Sequence, residues 1–580
     1  MKKVLPGFWY LNKRKNFNNY EILTSKIYSF ESRILEIKKI NKFYQVFLTE
    51  IYQNLNTIHN LNWKKRSWEI ILGSWLRKYI SVIYNRTRII NHLKNNNKIF
   101  YFINSKKKFN LTTYDLNDFV EKGINDEWNE EIFRRINSIL STNSKKANIL
   151  INKKDKINQT NKFQFLKTFF LNSICKIYNF LLCRKSKIVV FRPYFGKKFE
   201  LLKFLFSLKE FPFIYYLDNT QIKKNLSVNM RKALKFKTEK NISENLAKKL
   251  APEIIPKIYL EGFKTILKRI NESALPKKRT LIFTSNLHND SIFKFWVAKQ
   301  IQKGSRLILN QHGSEAGFFN YEEKNDFHNA IVDKRLTWGW SNKKYKKKFT
   351  KFSIINHHIF SEKIKKDSIG ISLVMNNYEN YIMAPDNHVI RDLWMSEKNK
   401  CYFEMHMIQN FLDKLSMNIK RSITLRPHPK KNKRKNTFFF EKKYKSQINI
   451  NNDYKIDIVD FLRKFKLNII PEFHSTSFAF AMAKNFPSIT FFPHDIRYLN
   501  TNAKKILLIL KKVGICHFTS KSVLDFVSKH NDKYDEWWNL KRTQHARALY
   551  CDSFAKIDSN RSKTLKDILF KEKQILLKKN

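Results

Sequence analysis

Apolar residues recur at helical spacing over the first ninety positions: Ile27, Ile34, Ile37 and Ile40, then Phe47, Ile51, Leu55 and Ile58. A stripe of that period buries one face of each helix, so a helical opening is expected from Tyr20 to Leu93. The pattern then changes to short unbroken apolar runs separated by helix-like stretches. Such runs suit strands covered on both faces of a parallel sheet. Runs at 187–191, 280–284 and 306–310 end in the polar tips Arg192-Pro193-Tyr194, Ser285-Asn286-Leu287-His288-Asn289-Asp290 and Gln311-His312-Gly313-Ser314. Helices are expected at 200–209 and 293–303. The Lys-rich stretch 341–351 reads as a linker, and beyond it runs at 370–375, 423–425, 467–470 and 488–492 repeat the pattern. Helices are expected there at 402–415, 458–465 and 478–485, and the chain closes with helical segments holding Trp537-Trp538 and Arg547. The expected fold class is α/β, with two doubly wound halves and a cleft between them.

Composition changes this picture in one respect. The chain has 580 residues, 42% of them hydrophobic, enough for more than one core. Its formal charge is +63, from 112 Lys and Arg against 49 Asp and Glu. Such a surface attracts nucleic acid, phosphorylated substrates or anionic lipid head groups. The bias toward Lys, Asn, Ile and Phe, with only 11 Gly and 12 Pro, is also what an AT-rich coding sequence produces. The charge is spread along the whole chain without an RNA- or DNA-binding signature, which argues against a nucleic-acid partner. Five scattered cysteines imply neither a disulfide framework nor a zinc site. No apolar segment of signal-peptide type follows Met1, so reduced, cytoplasmic residence is expected. Residues 163–183 are apolar but interrupted by Lys167, Asn172, Lys176 and Asn179, which favours an amphipathic or buried helix over a spanning one.

The candidate chemistry sits at strand tips. Arg426-Pro427-His428-Pro429 leaves the run at 423–425, and the flanking prolines hold His428 extended and aimed. A fixed imidazole beside an arginine can hold a phosphate and offset charge on a leaving group. Glu472-Phe473-His474-Ser475-Thr476-Ser477 leaves the run at 467–470, and its Ser475, Thr476 and Ser477 turn opens a helix, where free amides receive anions. The same residues also serve as an ordinary cap. In Gln311-His312-Gly313-Ser314-Glu315-Ala316-Gly317, two of the chain's few glycines point to unusual torsions or a close approach. His312 or Glu315 is the candidate base for an acceptor hydroxyl, while Gln311 and Gly313 line the cleft or shape it. His288 and Asp290 form a weaker pair at the preceding tip. Dinucleotide and P-loop glycine motifs, a D-x-D pair and H-E-x-x-H are all missing, so neither a metal nor another cofactor is expected.

Several blocks resemble a bacterial family of transferases for O-antigen and other surface polysaccharides. They are Leu55-Asn56, His59, Trp68, Ile71-Leu72-Gly73 and Trp75-Leu76, then Gln311-His312-Gly313, and Asp333 with Leu336-Thr337-Trp338-Gly339-Trp340. Ser475-Thr476-Ser477 with Asn485 and Pro487, Gly514-Ile515, Trp537-Trp538 and the segment from Arg547 to Ala555 continue the series in order. The resemblance implies a glycosyltransferase-B-like fold of two Rossmann-like domains, with nucleotide held mainly by the second. The organisation expected is a helical region with Lys/Asn-rich loops at 1–186, an acceptor-side domain at 187–345, a nucleotide-donor domain at 346–520 and C-terminal helices at 521–580. The Pro-His-Pro and Ser-Thr-Ser pair is also similar to the His-Pro and Ser-Ser/Thr motifs of bacterial sialyltransferases and Kdo transferases, where the first contacts the phosphate of a CMP-sugar. The Asp/Glu-Asp-Gly base motif of the sialyltransferases is missing here, which leaves the base and the donor open.

The function expected is metal-independent transfer of a sugar from a nucleotide-sugar donor, CMP-sugars among the options, to a glycan or lipid-linked acceptor of O-antigen or capsule type. Arg426, His428 and the turn at Ser475, Thr476 and Ser477 would hold donor phosphate. The enzyme would work in the cytoplasm, peripheral to the anionic inner face of the membrane. The alternatives are a polyol-phosphate transferase using a CDP-glycerol type donor, and a basic nucleic-acid-binding protein.

Overall fold

The computed structural model describes residues 3–5, 20–22, 30–95, 109–142, 162–196, 198–216, 224–287, 290–314, 316–342, 348–356, 368–375, 383, 403–428, 442–492, 495–530 and 532–578. The expected helical opening starts later than the pattern suggested. Tyr20–Ile22 is a short strand (β2) paired with Lys3–Leu5 (β1), and the first helix is Phe30–His59. Ile27 lies outside the described residues, as do 96–108 and 143–161, which hold much of the Lys/Asn-rich sequence expected as loops within 1–186.

The first large sheet has five parallel strands in chain order: β3 (Ile188–Phe191), β4 (Leu281–Thr284), β5 (Arg306–Asn310), β6 (Lys334–Thr337) and β7 (Phe349–Lys351). Alternation along the strands divides its two faces. Val189, Phe191, Ile282, Leu307 and Leu309 join one core with the helices Phe30–His59, Lys65–Asn95, Ile242–Ile254 and Ser291–Gln302. Ile188, Leu281, Phe283, Ile308 and Leu336 face the other way. They pack on Phe204 and Leu208, and on Leu565, Leu569 and Leu576 of the helix Arg561–Leu577. That last helix therefore returns to the first sheet, and its Glu572 pairs with Arg306 and Lys334. The stretch read as a linker is not wholly one, because Phe349–Lys351 at its end is the edge strand β7.

The Asn56 and Trp68 block of the opening helices is core architecture. Asn56 Oδ1 accepts from the Trp68 indole at 2.7 Å and the Trp63 amide at 3.2 Å. His59 stacks on Phe263 with centroids 4.2 Å apart and bonds the Tyr259 carbonyl. A side chain at Gly73 would meet Phe327 and the Tyr44 hydroxyl at 2.8 Å, so glycine sets the approach of these elements. Arg66 bonds Asp333, whose other role is to accept from the Leu307 amide between β5 and β6.

The second large sheet has six parallel strands: β8 (Ile371–Val374), β9 (Ile423–Arg426), β10 (Asn449–Ile450), β11 (Leu467–Ile470), β12 (Ser488–Phe491) and β13 (Cys516–His517). Their spatial order is β10-β9-β8-β11-β12-β13, which is the 3-2-1-4-5-6 order of a Rossmann sheet. The chain runs outward from β8 through β9 to β10, then crosses to β11 on the other side. The direction of winding thus reverses between β8 and β11, and open α/β sheets bind their ligands outside the strand carboxyl ends at such a point. The first sheet, ordered straight through, has no such reversal.

Candidate functional site

The loop after β11 occupies the reversal point. Ser475 caps the helix Thr476–Ala483, its hydroxyl accepting from the Phe478 amide at 3.2 Å. The capping role expected of the Ser-Thr-Ser turn is therefore taken by Ser475, and Thr476 has a different task. Its Oγ1 accepts from the backbone amide of Ser314 at 3.1 Å, which joins the β11 tip to the β5 tip. Gly313 lies beside this bond, and a Cβ there would come within 3.0 Å of Thr476 Oγ1. Phe318 packs on Phe473 and Phe554, and Phe319 meets the His474 ring edge-on at 5.1 Å. The strand tips of the two sheets thus face each other across a packed seam.

The β5 loop is built for that position. Gln311 is buried, and both ends of its amide are engaged: Nε2 donates to the Gly313 carbonyl, and Oε1 accepts from the Trp338 amide and the Trp340 indole. It shapes the loop. Gly317 has φ +91°, and a Cβ on it would fall 2.3 Å from the Trp340 ring, so the cluster requires glycine on both counts read from the sequence. Glu322 fastens the same loop by accepting from the amides of Gly317, Phe318 and Phe319 at 2.8–3.0 Å. Burial raises the Glu322 carboxyl above its ordinary range, against the lowering effect of those amides. His312, in contrast, is exposed, and its ring stacks on Tyr194 with centroids 4.3 Å apart.

Tyr194 belongs to the β3 tip, where Arg192 and Tyr194 hold φ of +40° and +52° without being glycine. Left-handed non-glycine residues cost energy and cluster where geometry is imposed for a purpose. The Tyr194 hydroxyl accepts from Asn286 Nδ2 at 2.8 Å, and Ser285 Oγ donates to the Pro193 carbonyl at 2.6 Å, so the β3 and β4 tips brace each other. Asp290 caps the helix Ser291–Gln302 and pairs with Arg192 at 3.2 Å. These are structural duties. His288 and Glu315 lie outside the described residues.

In the second sheet, His428 stands at the carboxyl end of β9, partly exposed, and Pro429 lies outside the described residues. β9 and β11 flank β8, so their tips are about 10 Å apart at ordinary strand spacing. Arg426 is turned inward. Its Nη2 donates to the Ile456 carbonyl at 2.7 Å, and its guanidinium lies over Phe461, 4.6 Å from the ring centroid. His474, quoted in the sequence motif but not singled out there, sits at the seam with its Nε2 3.9 Å from Glu472. Its place at the reversal point becomes visible only once strand order is known.

C-terminal helices support this loop from behind. The Tyr550 hydroxyl donates to the Phe473 carbonyl at 3.2 Å, and Arg547 Nη1 donates to the Met482 carbonyl at the end of the helix Thr476–Ala483. Asn485, at φ +59°, ends that helix and takes the Trp538 indole on its Oδ1 at 2.9 Å. Trp537 donates to the Val513 carbonyl next to Gly514. The late sequence blocks therefore form one assembly around the β11 helix. Among the described residues, no group of three or more His, Cys, Asp or Glu side chains is placed to hold a metal ion.

Two parallel α/β domains whose strand-tip loops meet define the class: a glycosyltransferase-B-like enzyme fold. The chain belongs to the LIC12162 family of transferases, whose model matches residues 1–569. No curated protein matches the sequence. Among solved structures, it is similar to the wall teichoic acid polymerase TagF, at 11% identity and a TM-score of 0.30, over 54% of this chain and 86% of that one. The MurG of Acinetobacter baumannii matches at 10% identity and 0.30, over 66% and 99% of the two chains. S. aureus MnaA with UDP matches at 13% and 0.34, over 65% and 94%. All three are distant.

Proposed function

We propose that this transferase moves a sugar from a nucleotide-activated donor to a hydroxyl of a surface glycan of O-antigen or capsule type, carried on a lipid at the inner membrane face. One observation supports the reading: the Ser314 amide meets Thr476 Oγ1, which joins the loop that carries the exposed His312 to the loop at the reversal point of a Rossmann-ordered sheet. The free amides that open the helix Thr476–Ala483 would receive the donor phosphate, with His428 as a second donor to it. Arg426 would position the β9 tip through the Ile456 carbonyl. The acceptor oxygen forms the new bond to the anomeric carbon as the bond to phosphate breaks. The nucleotide leaves with the bonding pair, and His312 or Glu315 takes the acceptor's proton.

The test is thermal unfolding against CMP, CDP, UDP, GDP and dTDP, their common sugar conjugates and CDP-glycerol. A ligand at a hundredfold its Kd stabilises the fold by about 2.7 kcal/mol. One nucleotide class should stabilise the wild type and lose most of its effect in His428→Ala, and turnover with the matching sugar donor should be lost in His312→Ala or Glu315→Gln. Turnover of CDP-glycerol and of no nucleotide sugar would identify a polyol-phosphate transferase. Retention of binding and turnover in His428→Ala would remove that residue from the site.

A further inference from the structure

The helix Lys162–Leu182 has 21 residues, and apolar positions spaced at a helical period are normally the ones a fold buries. Here they face outward. Phe170, Ile174, Ile177 and Leu181, at i, i+4, i+7 and i+11, form one stripe with Phe169 and Phe180 beside it, and all six are between 45% and 75% exposed. The helix is nonetheless firmly seated. Asn179 donates to the carbonyls of Ile214 and Ala274 at 2.6 and 2.8 Å and accepts from the Ile214 amide, while Ser186 holds the Phe211 carbonyl. Polar groups anchor the helix and apolar ones are presented to the outside, the inverse of an ordinary surface helix. Phe199, Leu202 and Phe206 are exposed in the same way on the helix Lys198–Ser207, and so are Phe211 and Ile214 in the segment that binds Asn179. The two helices precede and follow β3 in the chain, and the tip of β3 carries Tyr194.

The charge of this region identifies what covers it. Residues 162–216 contain 11 Lys and Arg against two Glu. Both glutamates are neutralised within the fold, Glu200 by Arg561 and Glu210 by Lys573. Lys176, Arg184, Lys185, Lys198, Lys203 and Lys209 are left exposed on and next to the helices that carry the apolar residues. A second copy would bring one basic rim against another, which is repulsive. An anionic bilayer satisfies both features, since it takes apolar side chains into the acyl boundary and basic ones at the head groups. Among the described residues no helix is long and apolar enough to cross a membrane, so the contact is one of lying on the surface.

We propose that the apolar stripe of the helix Lys162–Leu182, together with Phe199, Leu202 and Phe206, is the surface by which this protein docks on anionic lipid. This rests on the membrane part of the function proposed above and not on its chemistry. Docking here places the β3 edge of the first sheet nearest the bilayer, so that a lipid-linked acceptor reaches Tyr194 and His312 from the membrane side.

The experiment is co-sedimentation of the full chain with vesicles of phosphatidylglycerol in phosphatidylcholine, and with phosphatidylcholine alone. The variants are Phe170→Ser/Ile177→Ser/Phe180→Ser and Lys176→Glu/Lys185→Glu, all at exposed positions. The wild type should bind the anionic vesicles in a salt-sensitive way, and each variant should lose about tenfold in bound fraction. The thermal midpoint and nucleotide response should stay at wild-type values, which keeps this outcome separate from the donor chemistry. Equal binding of variants and wild type would overturn this surface while leaving membrane attachment intact, and no binding of the wild type would overturn both. Equal binding to neutral vesicles would overturn the charge argument, and a wild-type dimer dissolved by the serine variant would assign the face to a second copy.

Discussion

Lys294 is buried inside the first domain, and its Nζ has no hydrogen-bond partner among the described residues. Burial pushes its pKa down to about 8, partly opposed by Asp115 and Asp290. The unfolded chain keeps this proton to higher pH, so between about 8 and the ordinary 10.5 unfolding binds a proton and stability rises with pH. Below that window the folded state carries a strain of about 3 kcal/mol. Lys294→Met should therefore be more stable than wild type at pH 7 by up to that amount, and the advantage should shrink to near zero by pH 10.5. Urea denaturation at a series of pH values measures it, and a constant difference would show that Lys294 is not titrating there. At this scale the sequence was legible where chemistry leaves a composition mark. Gly313 and Gly317 stood out because glycine is scarce; the structure requires it at Gly317, and at Gly313 a Cβ would come within 3.0 Å of Thr476 Oγ1. Tyr194 left no such mark, because its left-handed backbone belongs to a residue type that rarely adopts it. Gln311 and His312 are neighbours in the sequence, yet Gln311 is buried and His312 exposed, a difference that the motif did not show.

The element on which the site turns is the helix Thr476–Ala483. Ser475 closes its front, Asn485 and Trp538 its back, and Tyr550 and Arg547 reach its flanking carbonyls. Tyr550→Phe removes the hydroxyl that the Phe473 carbonyl accepts from, a loss of about 1 kcal/mol in unfolding free energy. It should also weaken the stabilising nucleotide, because the Phe473 carbonyl belongs to the loop that aims the helix amides. Chemical denaturation and the nucleotide titration, run on one preparation, check both halves. Most strands were legible as apolar runs because a strand buried on two faces has no polar side to interrupt it. Six were not: Lys3–Leu5, Tyr20–Ile22, Asn449–Ile450 and Cys516–His517 are only two or three residues long, Lys334–Thr337 opens on two basic residues, and Phe349–Lys351 is enclosed by lysines, so none shows a period. The helix at 162–182 was legible as a helix. Its orientation was not, since the apolar stripe is the side turned outward.

For the whole molecule, the chain passes between its two domains more than once. After completing the second sheet, it supports the β11 loop with the helix Lys541–Phe554 and then returns to the first sheet with Arg561–Leu577. Leu565, Leu569 and Leu576 fill the face opposite the N-terminal helices, at about 1.5–3 kcal/mol for each buried leucine. Truncation before Arg561 should therefore destabilise the first domain by roughly 5 kcal/mol or more and leave the second sheet's core intact. Hydrogen exchange resolves the two: protection should fall at β3, β4 and β5 and persist at β8, β11 and β12. Uniform loss across both sheets would instead mean that the domains unfold as one unit.

The returning helix also fixes the order of events at the ribosome. Domains usually fold as they emerge, the N-terminal one first. Here the earlier domain has one sheet face only partly covered, by Phe204 and Leu208, while the later domain is synthesised, and Leu565, Leu569 and Leu576 join that face only when residues 561–577 appear. The core of the first sheet thus gains its last helix only after the strands of the second sheet have been synthesised.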